Sequence, residues 1–263
     1  MAHLEEVEGI VISVRKHRER DYLVKLFTDR YGKMMFFVRG TKNPNNKLKR
    51  AIQPFSHGTY IADIRDQGLS FLRDAKDIAP YSEVQLDIFK NAYATYACGL
   101  ADAALEDRVP DFNLFTQLKE GLSLMDELEE PEIILNIFEI RFLRYFGVMP
   151  ELRGCVICGK TEGAFDYSSK YNGLLCPNHY FEDERRFHAS PKAIHFIRLF
   201  SVLSFDKIGT ISMSAETKKD IRYVIDMLYE ELVGLKLKSK RFIDHMHEWD
   251  GVLKRPEEPD KED

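Results

Sequence analysis

Apolar and polar positions alternate with a period near two in short runs up to residue 80, and with a period near 3.6 beyond it. The runs at 9–15 (GIVISVR), 22–28 (YLVKLFT) and 33–39 (KMMFFVR) are rich in β-branched and aromatic residues, and 53–64 and 69–72 supply two further strand candidates. Turn residues separate them: KHRERD before the second, Asp29 to Gly32 before the third, and Asp66, Gln67 and Gly68 before the last. Five short strands spaced in this way suit a small Greek-key barrel of the OB type, with an SH3-like barrel as the competing arrangement. After Pro80, the residues Leu86, Phe89, Tyr93, Tyr96, Leu100 and Ala104 recur at helical spacing and predict one amphipathic helix over 82–106, stopped before Pro110. Leu114, Leu118, Leu122 and Met125 mark a second helix with Asp111 as its N-cap, and Pro131 opens a third that ends at Gly147. That third helix is apolar nearly all round, the mark of a buried central helix in a bundle. Ser190 and Ser214 cap two more, carrying Ile194, Ile197 and Phe200 and then Ile221, Val224, Ile225, Leu228, Leu232 and Leu235, and a short helix over 241–249 closes the fold. The expected class is α+β multidomain, with an N-terminal OB-type barrel over 1–80, an α-helical bundle over 81–250 and a disordered acidic tail over 251–263.

Within the third strand, alternation places Met34, Phe36 and Val38 on one side as core, and Lys33, Met35, Phe37 and Arg39 on the other. The polar loop after it continues with Lys42, Lys47, Lys49 and Arg50 and contains no acid. Cations beside a flat ring hold a polynucleotide by phosphate contact and base stacking, whereas a merely solvated strand with a lysine-rich loop reads the same way in composition. Charge placement bears on the choice. The chain as a whole is −5, yet residues 1–80 hold fifteen Lys or Arg against ten Asp or Glu, and the remainder holds twenty-three against thirty-three. A cationic first domain on an acidic second one points to a polyanion partner for the first and a different partner for the second. Arg15, Lys16, Arg18 and Arg20 can add to the same face, although Glu19 and Asp21 among them equally describe a solvated turn.

The most specific motif is Cys155-Val-Ile-Cys158-Gly, followed by Cys176-Pro-Asn-His179. Two-residue gaps let a tight turn aim two side chains at one ion, and three thiolates with an imidazole complete the tetrahedron of structural zinc. Gly159 permits the turn such a knuckle needs. The alternative is a set of free surface cysteines. A loop-rich segment at about 150–182 is expected to bury little apolar surface and to depend on the metal for its fold. Cys98, among small residues of the first long helix, is expected to be a buried structural thiol, and His245 and His247 to be solvated.

Catalytic signatures are not found in the sequence: it contains no GxxxxGK[ST] loop, no GxGxxG, no HExxH and no GxSxG elbow. A binding role is therefore favoured over an enzyme. A zinc hydrolase stays open as a competing class, and so does an OB-fold transcription or RNA-binding factor. Without an apolar run long enough for a membrane span or signal peptide, and with cysteines grouped for metal instead of disulfides, the protein is expected in the cytoplasm, near the nucleoid if DNA is the partner.

The N-terminal GIVISVRKHRERDYLVKLFTDRYGKMMFFVRGTKN and AIQPF, then FEIRFLRYFGVMPELRGCVICGK and GLLCPNHY, resemble in the same order the bacterial RecO family of DNA repair proteins. The resemblance implies an OB domain joined to a helical domain with a zinc knuckle, and a recombination mediator without catalytic activity. Members bind single- and double-stranded DNA, anneal complementary strands, engage the single-stranded DNA-binding protein, and act with RecR to load RecA. The family's basic segment falls on Lys33, Arg39 and Lys42. The family knuckle usually ends in Cys-x-x-Cys, where this chain has Cys176-Pro-Asn-His179.

Overall fold

The computed structural model describes residues 2–40, 47–209 and 211–249. Lys42, the side chain of His247 and the expected acidic tail over 251–263 lie outside the described residues. Five strands form a closed barrel: β1 (Ala2–His17), β2 (Asp21–Thr28), β3 (Gly32–Val38), β4 (Ser56–Arg65) and β5 (Ser70–Pro80), ordered β1-β2-β3-β5-β4. All neighbours are antiparallel except β3 and β5, which pair in parallel at Phe36 with Ser70 and at Phe37 with Phe71. A short helix, α1 (Lys47–Ala51), lies between β3 and β4. This strand order with a helix between the third and fourth strands is the OB arrangement and removes the SH3-like alternative.

The barrel interior is filled by the inward row of each strand, including Val24, Leu26, Met34, Phe36, Val38, Tyr60 and Leu72. Alternation therefore identified the core face of β3 correctly. Tyr60 donates its hydroxyl to the Ala51 carbonyl at 2.7 Å, which ties α1 to the barrel end.

Helices follow from Ser82. The single helix expected over 82–106 is two, α2 (Ser82–Leu86) and α3 (Ile88–Ala104). Asp87 breaks it because its carboxylate accepts from Phe89 N and Lys90 N, so it caps the second helix instead of continuing the first. Leu86, assigned to the buried stripe, is consequently 83% exposed. α4 (Phe112–Glu127) is capped by Asp111 as expected, its carboxylate accepting from Leu114 N at 2.8 Å. α5 (Pro131–Phe142) is the buried central helix and passes into a 3-10 turn that stops at Gly147, where φ is +75°. After a small sheet, α6 (Pro191–Val202) and α7 (Ala215–Leu228) pack against α5, with Ser190 and Ser214 as caps, and α8 (Lys238–Trp249) packs on α3. Cys98 is buried, and burial pushes its thiol up to about 12, as befits an inert core residue.

Barrel and bundle share one apolar seam. Ile10, Phe27 and Phe55, on the barrel's outer side, join the bundle core, with the Phe27 and Phe115 rings edge to face at 5.7 Å. At Gly32 φ is +65°, and a β-carbon there would lie 2.2 Å from the Val109 carbonyl oxygen, so only glycine allows the two units to close at this point. Among the described residues no helix is long and apolar enough to cross a membrane.

Candidate nucleic-acid interface and metal centre

The residues chosen from the sequence fall into four places. Lys33 is one of them, and it does not belong to an interface. Its side chain does share the outward row of β3, but the bundle covers that end of the row, and Lys33 is 1% exposed. Its ammonium donates to the Asp102 and Leu105 carbonyls and to the Asp102 carboxylate, the last at 3.1 Å. All three ammonium protons are thus taken, and no phosphate can reach them. Lys25, on the neighbouring strand, pairs with Asp102 at 2.5 Å and Asp107 at 2.9 Å. Burial disfavours both charges, yet the mutual hydrogen bonds more than offset this, raising the Lys25 pKa and lowering that of Asp102.

Phe37 and Arg15 occupy the part of the outer face that the bundle leaves uncovered. Register places them so: Leu23 pairs with both Arg15 and Phe37, and all three lie on the side opposite the core row. Phe37 is half-buried and Arg15 exposed.

Lys16, Arg39 and Lys49 gather elsewhere, around a cleft at the end of the barrel. This cleft, about 220 Å³, is walled by Lys16, Arg20, Arg39 and Lys49 with Tyr22 and Glu19, over a floor of Val38, Leu48 and Ile52. Lys47 and Arg50 are exposed on α1 beside it. The segment from Lys47 is helical and not a loop. Its polar composition concealed a single turn held by the buried Ala51 and Ile52. Arg20, left ambiguous in the sequence because acids flank it, stands with the cleft cations. Phe71, Arg65 and Arg73 on the outer face of β4 and β5 were missed, although alternation in SFLRD carries the signal for Phe71 and Arg73.

The metal-ligand set comes together as its spacing required. Cys155 ends β6 (Glu151–Cys155), and Cys176 follows β8 (Gly173–Leu175); these strands, with β7 (Asp166–Ser168), form a sheet ordered β6-β8-β7. Gly159 N donates to the Cys155 carbonyl and His179 N to the Cys176 carbonyl, both at 2.8 Å, closing the two ligand turns. Gly159 has φ +72°, as the first turn demands. The four ligand atoms lie within 4.8 Å of one another. Zinc at its usual bond lengths sets tetrahedral edges of about 3.8 Å between sulfurs and about 3.6 Å between sulfur and nitrogen. Here Cys158 Sγ is 3.8 Å from Cys176 Sγ, and His179 Nδ1 is 3.5 Å from Cys155 Sγ and 3.3 Å from Cys176 Sγ. The donor set therefore fits zinc. Burial alone would push the Cys155 thiol up, but backbone N–H groups of Cys158, Cys176 and Ile157 bring it down, whereas burial and the adjacent Cys155 push the Cys176 thiol up, so the first thiolate of the set forms at Cys155.

One expectation about this segment needs correction. It does bury apolar surface: Leu152, Phe165, Tyr167, Leu174 and Leu175 belong to the main bundle core. Asp166 beneath them accepts from Tyr167 N, His188 N and Ala189 N and pairs with Arg186 at 3.0 Å. The knuckle is thus docked on α6 and its surroundings as well as tied by its ligands.

Comparison with known proteins agrees with this architecture. Residues 1–81 match the family model described as recombination protein O N terminal, and residues 85–241 match that of its C terminal. The chain is 53% identical over 253 residues to a DNA repair protein RecO of Enterococcus faecalis, covering 96% of this chain and 97% of that protein. It is 43% identical to one of Latilactobacillus sakei, over 95% of this chain and 92% of the relative, and 44% identical to one of Streptococcus agalactiae, over 94% and 96%. An OB barrel seamed to a helical bundle that carries a Cys3His cluster, matched along both parts, places this chain in the RecO family of DNA repair proteins.

Proposed function

We propose that this protein is a non-catalytic recombination mediator whose barrel, residues 1–80, binds single- and double-stranded DNA without regard to sequence. Its bundle, residues 81–250, docks protein partners. The observation that carries the first half is the ring of cations Lys16, Arg20, Arg39 and Lys49 around the barrel-end cleft, flanked by Lys47 and Arg50. These exposed side chains suit phosphate contact, and Arg15 and Phe37 on the outer face extend the track to a ring on which a base can stack. Lys42 belongs to the same basic tract in the sequence.

Family membership supports the second half of the reading. The protein anneals complementary strands, engages the single-stranded DNA-binding protein and, with RecR, helps load RecA on coated DNA, acting in the cytoplasm at the nucleoid. Structural zinc, held by Cys155, Cys158, Cys176 and His179, would fix the knuckle and leave no coordination position for a substrate.

The direct test is annealing of complementary oligonucleotides coated with single-stranded DNA-binding protein. Strand pairing that depends on this protein, and RecA loading on the coated strand that further depends on RecR, are expected. Inability to anneal even bare strands would defeat the reading.

A further inference from the structure

We infer that Phe71, with Phe37 beside it and Arg65 and Arg73 against it, forms a base-stacking platform that makes the barrel favour unpaired strands over duplex. The inference rests on the reading that the barrel binds DNA, and it adds a second kind of contact to the phosphate-binding cleft.

Phe37 and Phe71 face outward from adjacent parallel strands at the same register. Their ring centroids are 5.7 Å apart at 63°, and the His17 ring meets Phe37 edge-on at 6.1 Å. Neither phenylalanine belongs to the barrel interior, which the opposite row fills. Both rings are half-buried. The bundle covers the outer face at Lys33, four positions back along β3, or roughly 13 Å at strand rise, and comes near the rings through Arg108 at the β4–β5 turn. Two planar cations lie on this surface, with the Arg65 guanidinium 4.5 Å and the Arg73 guanidinium 5.5 Å from the Phe71 centroid.

One of these cations is anchored by an acid, and the backbone that carries the other is fixed. Arg73 is held by the carboxylate of Asp63 on the adjoining strand, its Nε at 2.6 Å. Arg108, from the bundle, donates to the Arg65 carbonyl at 2.6 Å and the Gly68 carbonyl at 2.7 Å, fixing the β4–β5 turn. A guanidinium lying on a ring presents its own flat face outward, and unstacked bases pack on rings and guanidinium planes alike. Duplex bases are already stacked on one another and can offer this surface only their phosphates. Two outward rings at one register, with two guanidinium groups against one of them, therefore select for strands with free bases.

The test compares the full-length protein on three fluorescent probes of matched charge: oligo-dT, an abasic oligonucleotide of equal length, and a short duplex. Wild type should bind oligo-dT about tenfold or more tightly than the abasic probe. Phe71→Leu, which keeps apolar bulk but removes the flat ring, should bring oligo-dT binding down toward the abasic level while abasic and duplex binding stay unchanged. Phe71→Trp should restore the preference. Equal wild-type affinity for oligo-dT and the abasic probe would overturn the inference, and so would a uniform loss on all three probes in Phe71→Leu. Failure of wild type to bind any probe in dilute buffer would overturn the inference together with the DNA-binding reading beneath it.

Discussion

The Lys33 ammonium on β3 stands 3.1 Å from the Asp102 carboxylate on α3, so a cation that alternation assigns to an open strand face instead joins barrel to bundle. Replacing it with alanine strands the Asp102 and Leu105 carbonyls and removes an ion pair whose cationic end is buried. Lys33→Ala should therefore lower stability by about 2–3 kcal/mol in urea denaturation. Among the variants that still fold, the salt dependence of DNA binding should be unchanged. A flattened slope would put Lys33 back among the phosphate contacts.

Acid should loosen the same seam. Asp102 and Glu8 both have pKa values below their ordinary 3.8 and 4.5: burial opposes this, and hydrogen bonds from Lys25 and Lys33 to the first, and from His57 and Lys119 to the second, prevail. A depressed carboxylate contributes stability above its unfolded pKa and loses it as pH falls through the folded value. Thermal stability should accordingly hold from neutral pH down to the ordinary carboxylate range and drop below it. Asp102→Asn should show a smaller acid-side loss than wild type when melting temperature is followed against pH.

How much of this was legible in the sequence depended on where the deciding partner lay. Local signals worked: the caps Asp111, Ser190 and Ser214, the glycine stop at Gly147, the core row of β3 and the cysteine spacing all act within a few residues. Partners distant in the chain went unseen. The first half of β1, HLEEVE, and the end of β5, RDAKDIAP, have no apolar alternation to announce a strand, and each is held extended by pairing with β4. Lys33 is the clearest case, since strand alternation gives its side and only the bundle, some seventy positions later, decides whether that side meets water. Asp87 was a local failure, a helix-breaking cap hidden inside a stripe that continued across it.

The knuckle should hold one zinc per chain by plasma emission spectrometry, and His179→Cys should retain it while His179→Ala loses it readily. Chelation should remove about 5 kcal/mol or more of stability. That is less than the roughly 10 to 16 of isolated zinc fingers, because Leu174, Leu175 and Tyr167 are already docked in the core. Helical circular dichroism should survive the treatment at room temperature. Collapse of the whole bundle on chelation would show that docking contributes nothing.

A second buried charge holds the bundle centre. Glu139 is fully buried on α5, takes Arg222 Nη1 at 2.6 Å and Nη2 at 3.1 Å, and accepts from the Tyr96 hydroxyl at 3.0 Å. Glu139→Leu removes the buried partner of the guanidinium, leaving it Asp226 and the Asn136 side chain, each at 3.0 Å. It should cost about 3 kcal/mol, at the low end for a broken buried pair, and Glu139→Leu with Arg222→Met should recover part of it. Equilibrium denaturation of the two singles and the double measures the coupling.

The most direct measurement is the affinity of full-length protein for fluorescent oligo-dT as salt rises from 50 to 200 mM. About six phosphate contacts give a log-log slope of roughly −4, and the charge reversals Arg39→Glu with Lys49→Glu should weaken binding and flatten that slope by about 1.4. No binding at low salt, or a slope untouched by reversing those two cations, would contradict the assignment of the barrel-end cleft as the DNA-binding surface.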